Sequence, residues 1–265
     1  MTDIFRSALL GLVQGLTEFL PVSSSGHLEI LNALLGSSES LDSDLAMVVL
    51  VHVGTALSIL YVFRKDIWQI LKDVFSLKWT DESRLAIEIL ISMIPALIIG
   101  LAFEDQLESL FSGGIWMVGI SLICTGLVLW VTPNIKDQKE PVGYKKAVLI
   151  GVAQAVAVLP GISRSGMTIA AALMLGVGKK EAARFSFLMV LPVILGKALL
   201  DIIGGEWAVG SDQMVPVMTA LVVSFFVGVI ACTWMIKLVQ NSSLRYFAIY
   251  CVVIGAIALG AGVYG

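Results

Sequence analysis

Six stretches of this chain are long and apolar enough to cross a bilayer, and that decides the solvent it folds in. They run roughly over 45–63, 86–103, 114–132, 185–203, 216–236 and 246–264, and a helical span needs about 20 mostly apolar residues. Composition agrees. Of the 265 residues, 58% are hydrophobic and only 14% charged, with a mean hydropathy of +0.94, whereas a soluble domain carries about a quarter charged residues to cover its surface. A water-soluble globule is excluded, the lipid bilayer is the expected partner, and nucleic acid is not. Cys124, Cys232 and Cys251 are dispersed in apolar stretches without ligand spacing and read as small packing hydrophobes. The apolar run from Ala8 to Val13 is short and is followed by Gln14 and Glu18, so no cleavable signal is expected.

Two further segments, 8–36 and 147–176, are apolar at both ends and broken in the middle by Pro, Ser and Gly. Each half is too short to cross and long enough to dip in and return, as a re-entrant helical hairpin does. Charge gives an independent reason for the same reading. The connections 64–84, 133–146, 177–184 and 237–245 hold 14 of the 17 Lys and Arg residues, among them Lys136 and Lys139. The connections 37–44, 104–113 and 204–215 hold none, only acids such as Asp42, Glu104, Glu108, Glu206 and Asp212. By the positive-inside rule the first set is cytoplasmic and the second external. The alternation works only if both broken segments return to the side they entered from. The first hairpin then opens outside, the second inside, and both termini are external.

The broken segments also resemble each other. Gly11, Gln14, Ser23, Ser25, Gly26 and Gly36 recur 140 residues later as Gly151, Gln154, Ser163, Ser165, Gly166 and Gly176, while Pro21 and Pro160 are 139 apart, a one-residue slip. Each hairpin is followed by three spans, an odd number, so the second copy is inverted. The expected fold is therefore all-α: a single membrane domain over 1–265, with a first repeat over 1–132 and an inverted second repeat over 133–265. It comprises six transmembrane helices and two re-entrant hairpins, the kind of architecture in which broken helices meet near the midplane.

The polar residues at the two breaks carry the chemistry. In the first, Gln14 and Glu18 are four apart and share a helix face. Pro21 stops that helix, and Ser23, Ser24 and Ser25 are suited to cap the next. A serine-rich turn opening a helix presents unpaired backbone N–H groups to an anion, and His27 falls in that helix's first turn. The second break, Pro160-Gly161-Ile162-Ser163-Arg164-Ser165-Gly166-Met167-Thr168, repeats the design and adds Arg164, a cation at membrane depth. Ionisable groups there cost roughly 2.5–3.5 kcal/mol on insertion scales and mark function. A guanidinium among hydroxyls at a helix start suits a phosphate. Together the turns supply an acid, an imidazole, an arginine and hydroxyls, the set that phosphoryl transfer asks for. The acid is also able to hold a divalent cation. Against this stands a plain buried Glu18–Arg164 ion pair, and a His27 that only helps to start its helix. His52, in an apolar span beside Gly54 and Thr55, reads as a packing histidine; Lys197 and Asp201, one turn apart, read as a local ion pair.

Gln14 to His27 and Pro160 to Thr168 resemble the two signature regions of the undecaprenyl-diphosphate phosphatase family, also called the bacitracin-resistance protein. The resemblance runs nearly the whole chain, through His52-Val-Gly54-Thr55, Met93-Ile-Pro95-Ala96, and Glu181 followed by Arg184-Phe-Ser-Phe187 and Pro192. It implies hydrolysis of undecaprenyl diphosphate to undecaprenyl phosphate and inorganic phosphate, which recycles the lipid carrier of envelope polymers at the outer face of a bacterial inner membrane. It also implies dependence on a divalent cation, Mg²⁺ or Ca²⁺. By matching positions, Glu18 is the base or a metal ligand, with Gln14 a second metal ligand. Ser24 or His27 is the nucleophile or base. Arg164 holds phosphate, with Ser23, Ser25, Ser163, Ser165, Gly166 and Thr168 around it. Some members carry Glu where this chain has Gln14; an amide ligates a metal through oxygen but is no base, so Glu18 is left as the sole acid of that motif. The resemblance allows a homodimer.

Two other classes compete. Inverted repeats and broken helices fit a transporter or flippase of a phosphorylated polyprenyl lipid as well as they fit an enzyme. The type 2 phosphatidic acid phosphatases share the Ser-Gly-His sequence but need a histidine after the Ser-Arg pair; the only two histidines here are His27 and His52, both before it, which excludes that class.

Overall fold

The computed structural model describes residues 3–35, 45–111, 114–132, 140–204, 213–241 and 243–264. Gly36, Asp42, Lys136, Lys139, Glu206 and Asp212 lie outside them. The protein is an all-α, multi-pass membrane protein. Both broken segments fold as helix–turn–helix: α1 (Asp3–Thr17) with α2 (Ser24–Leu34), and α8 (Gly143–Val156) with α9 (Arg164–Met174). The longest of these arms has 15 residues, which at 1.5 Å per residue is about 22 Å and short of the hydrocarbon core.

Helices occupy all six of the expected spans. Four of them, α5 (Asp81–Ala102), α10 (Lys179–Gly204), α11 (Met214–Asn241) and α12 (Arg245–Tyr264), are long and apolar enough to cross a membrane by themselves. The 18-residue α3 (Leu45–Val62) bends by 79° into α4 (Arg64–Phe75). The 17 residues of α7 (Ile115–Val131) fall just short of that length. The polar stretches 64–84 and 104–113, expected as plain connections, contain helices: α4 and the short α6 (Glu104–Phe111). Helix α4 sets Arg64, Lys65 and Lys72 beside exposed Trp68, Leu71, Val74 and Phe75, the pattern of a helix lying in the headgroup layer. The turn after it is fastened by Asp73, which accepts from Thr80 Oγ1 at 2.8 Å and Gln69 Nε2 at 2.9 Å. Those bonds hold the Asp73 carboxyl below the usual aspartate range. Arg184 ties this face together, reaching Asp66 of α4 and Glu82 of α5, each at 2.7 Å.

Inside, small residues decide which helices touch. A Cβ on Gly11 of α1 would sit 2.5 Å from the Ala220 carbonyl of α11, and one on Gly151 of α8 would sit 2.4 Å from the Ser92 carbonyl of α5. The first arm of each hairpin thus lies against a span from the other half of the chain. Gly119 of α7 and Gly255 of α12 face one another's carbonyls in the same way, at 2.7 Å. Close backbone approach is how helices gain packing energy where no hydrophobic drive separates helix from lipid. Gly151→Ala is therefore expected to cost about 1–3 kcal/mol through overpacking. Gly100→Ala, where an added Cβ meets nothing within 4 Å, is expected to leave stability unchanged or slightly raised. Thermal unfolding of the two purified variants checks this contrast.

Candidate active site

The two turns interlock. Ser23 caps α2 by accepting from Gly26 N at 3.2 Å, and Ser163 caps α9 by accepting from Gly166 N at 3.1 Å. Both cap hydroxyls lie 3.3 Å from the serine two residues on, Ser25 and Ser165 respectively. The matched positions of the two motifs therefore have matched roles. The one-residue slip also has a structural origin. The second turn carries one more residue between its proline and its cap, and its positive φ falls on Gly161 (80°), while in the first turn it falls on Ser23 itself (69°). A non-glycine residue held there is strained, which is characteristic of functional turns.

Contacts across the two turns are reciprocal. Ser165 Oγ donates to Leu20 O at 3.0 Å; a Cβ on Gly26 would lie 3.4 Å from Gly161 Cα, and one on Gly166 would lie 3.2 Å from Pro21 Cβ. Flanking spans pin both turns. Ser163 N donates to Thr125 Oγ1 of α7 at 3.1 Å, and the buried Phe19 meets Phe187 of α10 edge-on at 5.6 Å.

At the junction lies a polar cluster. Arg164 Nη2 donates to Glu18 Oε1. The other carboxylate oxygen, Oε2, accepts from Ser24 Oγ at 2.6 Å and from Gln14 Nε2 at 3.0 Å. Glu18 is 7% exposed and Gln14 fully buried, so the carboxylate is fixed by its partners, not by water. Ser24 and Ser25 are only half-buried. At the start of α2 the backbone N–H groups of these two residues have no partner within the helix. A cavity of about 200 Å³ opens here, lined by Glu18, Ser23, Ser24, Ser25, Ser163, Arg164 and Ser165, with His52 on one side and Val190, Val193 and Ile194 of α10 as an apolar wall. A larger cavity, about 720 Å³, lies near Trp79, Glu88 and Tyr144. Both of its arginines are paired, Arg184 with Glu82 and Glu181, and Arg84 with Asp81, so it lacks the unspent donors of the smaller one.

Most of the residues expected from the sequence converge, and four do not line the cavity. His27 is turned away: Nδ1 bonds to Ser23 O at 2.7 Å, Nε2 bonds to Tyr250 OH at 2.8 Å, and the ring stacks on Tyr250. Both nitrogens are engaged, and the residue is not among those that line the cavity. Thr168 stands behind Arg164, donating to the Arg164 carbonyl at 2.9 Å and bonding Ser186 Oγ at 2.6 Å. Gly166 is a packing position at the crossing of the turns. Gln14 steadies Glu18 from beneath. Conversely His52, expected as a packing histidine, lines the cavity; the signal available for it was an ionisable side chain inside an apolar span. Lys197 and Asp201 do form the local pair expected of them, at 2.5 Å. Replacing His27 by Phe, which keeps the stacking and drops both hydrogen bonds, is expected to leave kcat within about threefold and cost about 1–3 kcal/mol of stability. Kinetics and thermal unfolding of that variant check both.

The chain matches the model of the family described as bacitracin resistance protein BacA over residues 7–257. It belongs to that family. An undecaprenyl-diphosphatase of Christiangramia forsetii is 50% identical over 257 residues, covering 97% of each chain. One from Bacteroides fragilis is 46% identical over 259 residues, 96% of this chain and 97% of the other. Undecaprenyl-diphosphatase 1 of Bacillus cereus is 37% identical over 266 residues, again 97% of each. The BacA match takes in both interlocked turns and every residue that lines the cavity.

Proposed function

We propose that this protein hydrolyses undecaprenyl diphosphate to undecaprenyl phosphate and inorganic phosphate. The observation that carries the reading is a hydroxyl, Ser24 Oγ, 2.6 Å from a carboxylate that Arg164 holds in place. That is a nucleophile, a proton acceptor and an orienting cation within reach of one another, at the start of two half-helices. The terminal phosphate takes its place against the Arg164 guanidinium and the unpaired N–H groups of α2. Ser24 Oγ attacks the terminal phosphorus and passes its proton to Glu18 Oε2. The bond to the bridging oxygen breaks and undecaprenyl phosphate leaves, its newly freed oxygen taking the proton from Glu18. Water, with Glu18 again as proton acceptor, then frees the phosphate from Ser24. The apolar wall on α10 receives the first isoprene units, and Val193, 41% exposed, continues it toward lipid.

A divalent cation, Mg²⁺ or Ca²⁺, fits the oxygen donors present. Glu18 and the buried, unpartnered Gln14 Oε1 would hold it, and substrate phosphate oxygens would complete the set, as is usual for hard cations with few carboxylates. No group of three or more His, Cys, Asp or Glu side chains that would cage a metal occurs among the described residues. When bound, the cation would neutralise diphosphate charge. The exchanged packing of α1 on α11 and α8 on α5 supports the inverted repeat of residues 1–132 and 133–265. The clustering of Lys and Arg on one set of connections supports a cytoplasmic place for those connections, and the family resemblance supports a bacterial inner membrane with the site facing the periplasm or exterior. There the reaction returns the carrier for peptidoglycan synthesis and confers bacitracin resistance.

The test is phosphate release from undecaprenyl diphosphate by the purified chain in detergent, with Mg²⁺, with EDTA, and with Mg²⁺ restored. Release that EDTA stops and Mg²⁺ restores is the expected result. Release indifferent to EDTA would remove the cation and keep the hydrolase.

A further inference from the structure

The cavity contains three ionisable side chains, Glu18, Arg164 and His52, and the chemistry above uses two. The third has a defined geometry. His52 Nδ1 lies 2.8 Å from Val48 O, one turn back on α3. A carbonyl oxygen only accepts, so Nδ1 carries the hydrogen and Nε2 is the nitrogen left for other work. His27 makes the same Nδ1 bond to its own fourth-preceding carbonyl, but its Nε2 is taken by Tyr250. His52 lines the cavity instead, together with Glu18. The ring enters from α3, a helix outside both hairpins, so it adds a wall that neither signature turn provides.

We propose that His52 is a further substrate-contacting residue, whose Nε2 binds a diphosphate oxygen from α3 while Arg164 binds the phosphate from α9. Carrying both ring protons, His52 donates Nε2–H to the phosphate oxygen in a charge-assisted hydrogen bond. The charged groups that face the ring are Glu18, on the hairpin turn after α1, and Arg164, on α9; α10 presents only Val190, Val193 and Ile194 to this cavity. The proposal rests on the phosphatase reading for the class of ligand alone, because the contact is to the diphosphate and not to the lipid.

The experiment is calorimetric binding of inorganic pyrophosphate to the full-length protein, to His52→Ala and to His52→Gln. Affinity is expected to fall about 10- to 100-fold in His52→Ala, the size of one charge-assisted hydrogen bond. His52→Gln, whose amide donates but carries no charge, is expected to fall between the two. It is also the deciding variant if His52→Ala fails to fold. Wild-type affinity in the substituted proteins would overturn the contact, and so would a wild-type protein that does not bind pyrophosphate. Binding that depends on His52 without phosphate release from the lipid would keep the contact and overturn the phosphatase.

Discussion

Replacing Arg164 by alanine is expected to lower phosphate release from undecaprenyl diphosphate by about a thousandfold or more. Cations that meet the charge of a transferring phosphoryl group contribute on that scale in phosphoryl-transfer sites, and among the described residues Arg164 is the one arginine or lysine that lines the cavity. The ion pair with Glu18 adds a second consequence. Glu18 is 7% exposed, and removing its partner leaves a buried carboxylate without its cation, which typically costs about 3–5 kcal/mol. Arg164→Ala therefore loses stability together with turnover, and the single variant does not separate the two. Arg164→Met combined with Glu18→Gln does. It removes both charges, so folding is expected to return toward wild type, as replacements of buried ion pairs often permit, while turnover stays lost. Thermal unfolding beside phosphate release reads both. A double variant that regained activity along with stability would make the pair purely structural.

Ser24→Ala is the second large effect, an expected loss of about 10³-fold in kcat with substrate binding little changed. Its hydroxyl donates to Glu18 Oε2, and among the described residues no other hydroxyl does. Ser23 and Ser163 are committed to capping α2 and α9, and Ser165 to the Leu20 carbonyl. Should Glu18 instead activate water directly, Ser24→Ala would lose only a neighbouring hydrogen bond and keep turnover within about tenfold. Rapid mixing with radiolabelled terminal phosphate separates the routes further. Wild-type protein is expected to trap label on the chain, and Ser24→Ala is not.

What was legible in the sequence were the features set by local chemistry. Proline, glycine and serine clustered within a few residues break a helix, as single ones such as Pro95 and Pro192 inside α5 and α10 do not, so both hairpins and both caps could be read from Pro21, Ser23, Pro160 and Ser163. The meeting of Glu18 with Arg164 followed from the cost of leaving either alone at membrane depth. Less legible were features set by distant partners. The ring of His27 is drawn aside by Tyr250, 223 residues away, and no local pattern announces that. His52 resembled a packing residue because its neighbours are apolar, yet the turns that complete the cavity around it are remote in sequence. Helix α4 was hidden by its charge, since a headgroup-layer helix alternates Lys and Trp and lacks the unbroken apolarity of a span. Thr168 shares the second motif but faces Ser186, because a helix carries its fourth residue one turn on from the turn that holds Arg164.

The most direct measurement of the central claim is the quantity of inorganic phosphate and of undecaprenyl phosphate formed from undecaprenyl diphosphate by the purified wild-type protein, with the Arg164→Met, Glu18→Gln double variant as control. The account predicts equal amounts of the two products from the wild type and neither from the folded double variant. Intact substrate after incubation with well-folded, cation-supplied wild-type protein would contradict it, and the two interlocked turns would then belong to a carrier of the phosphorylated lipid.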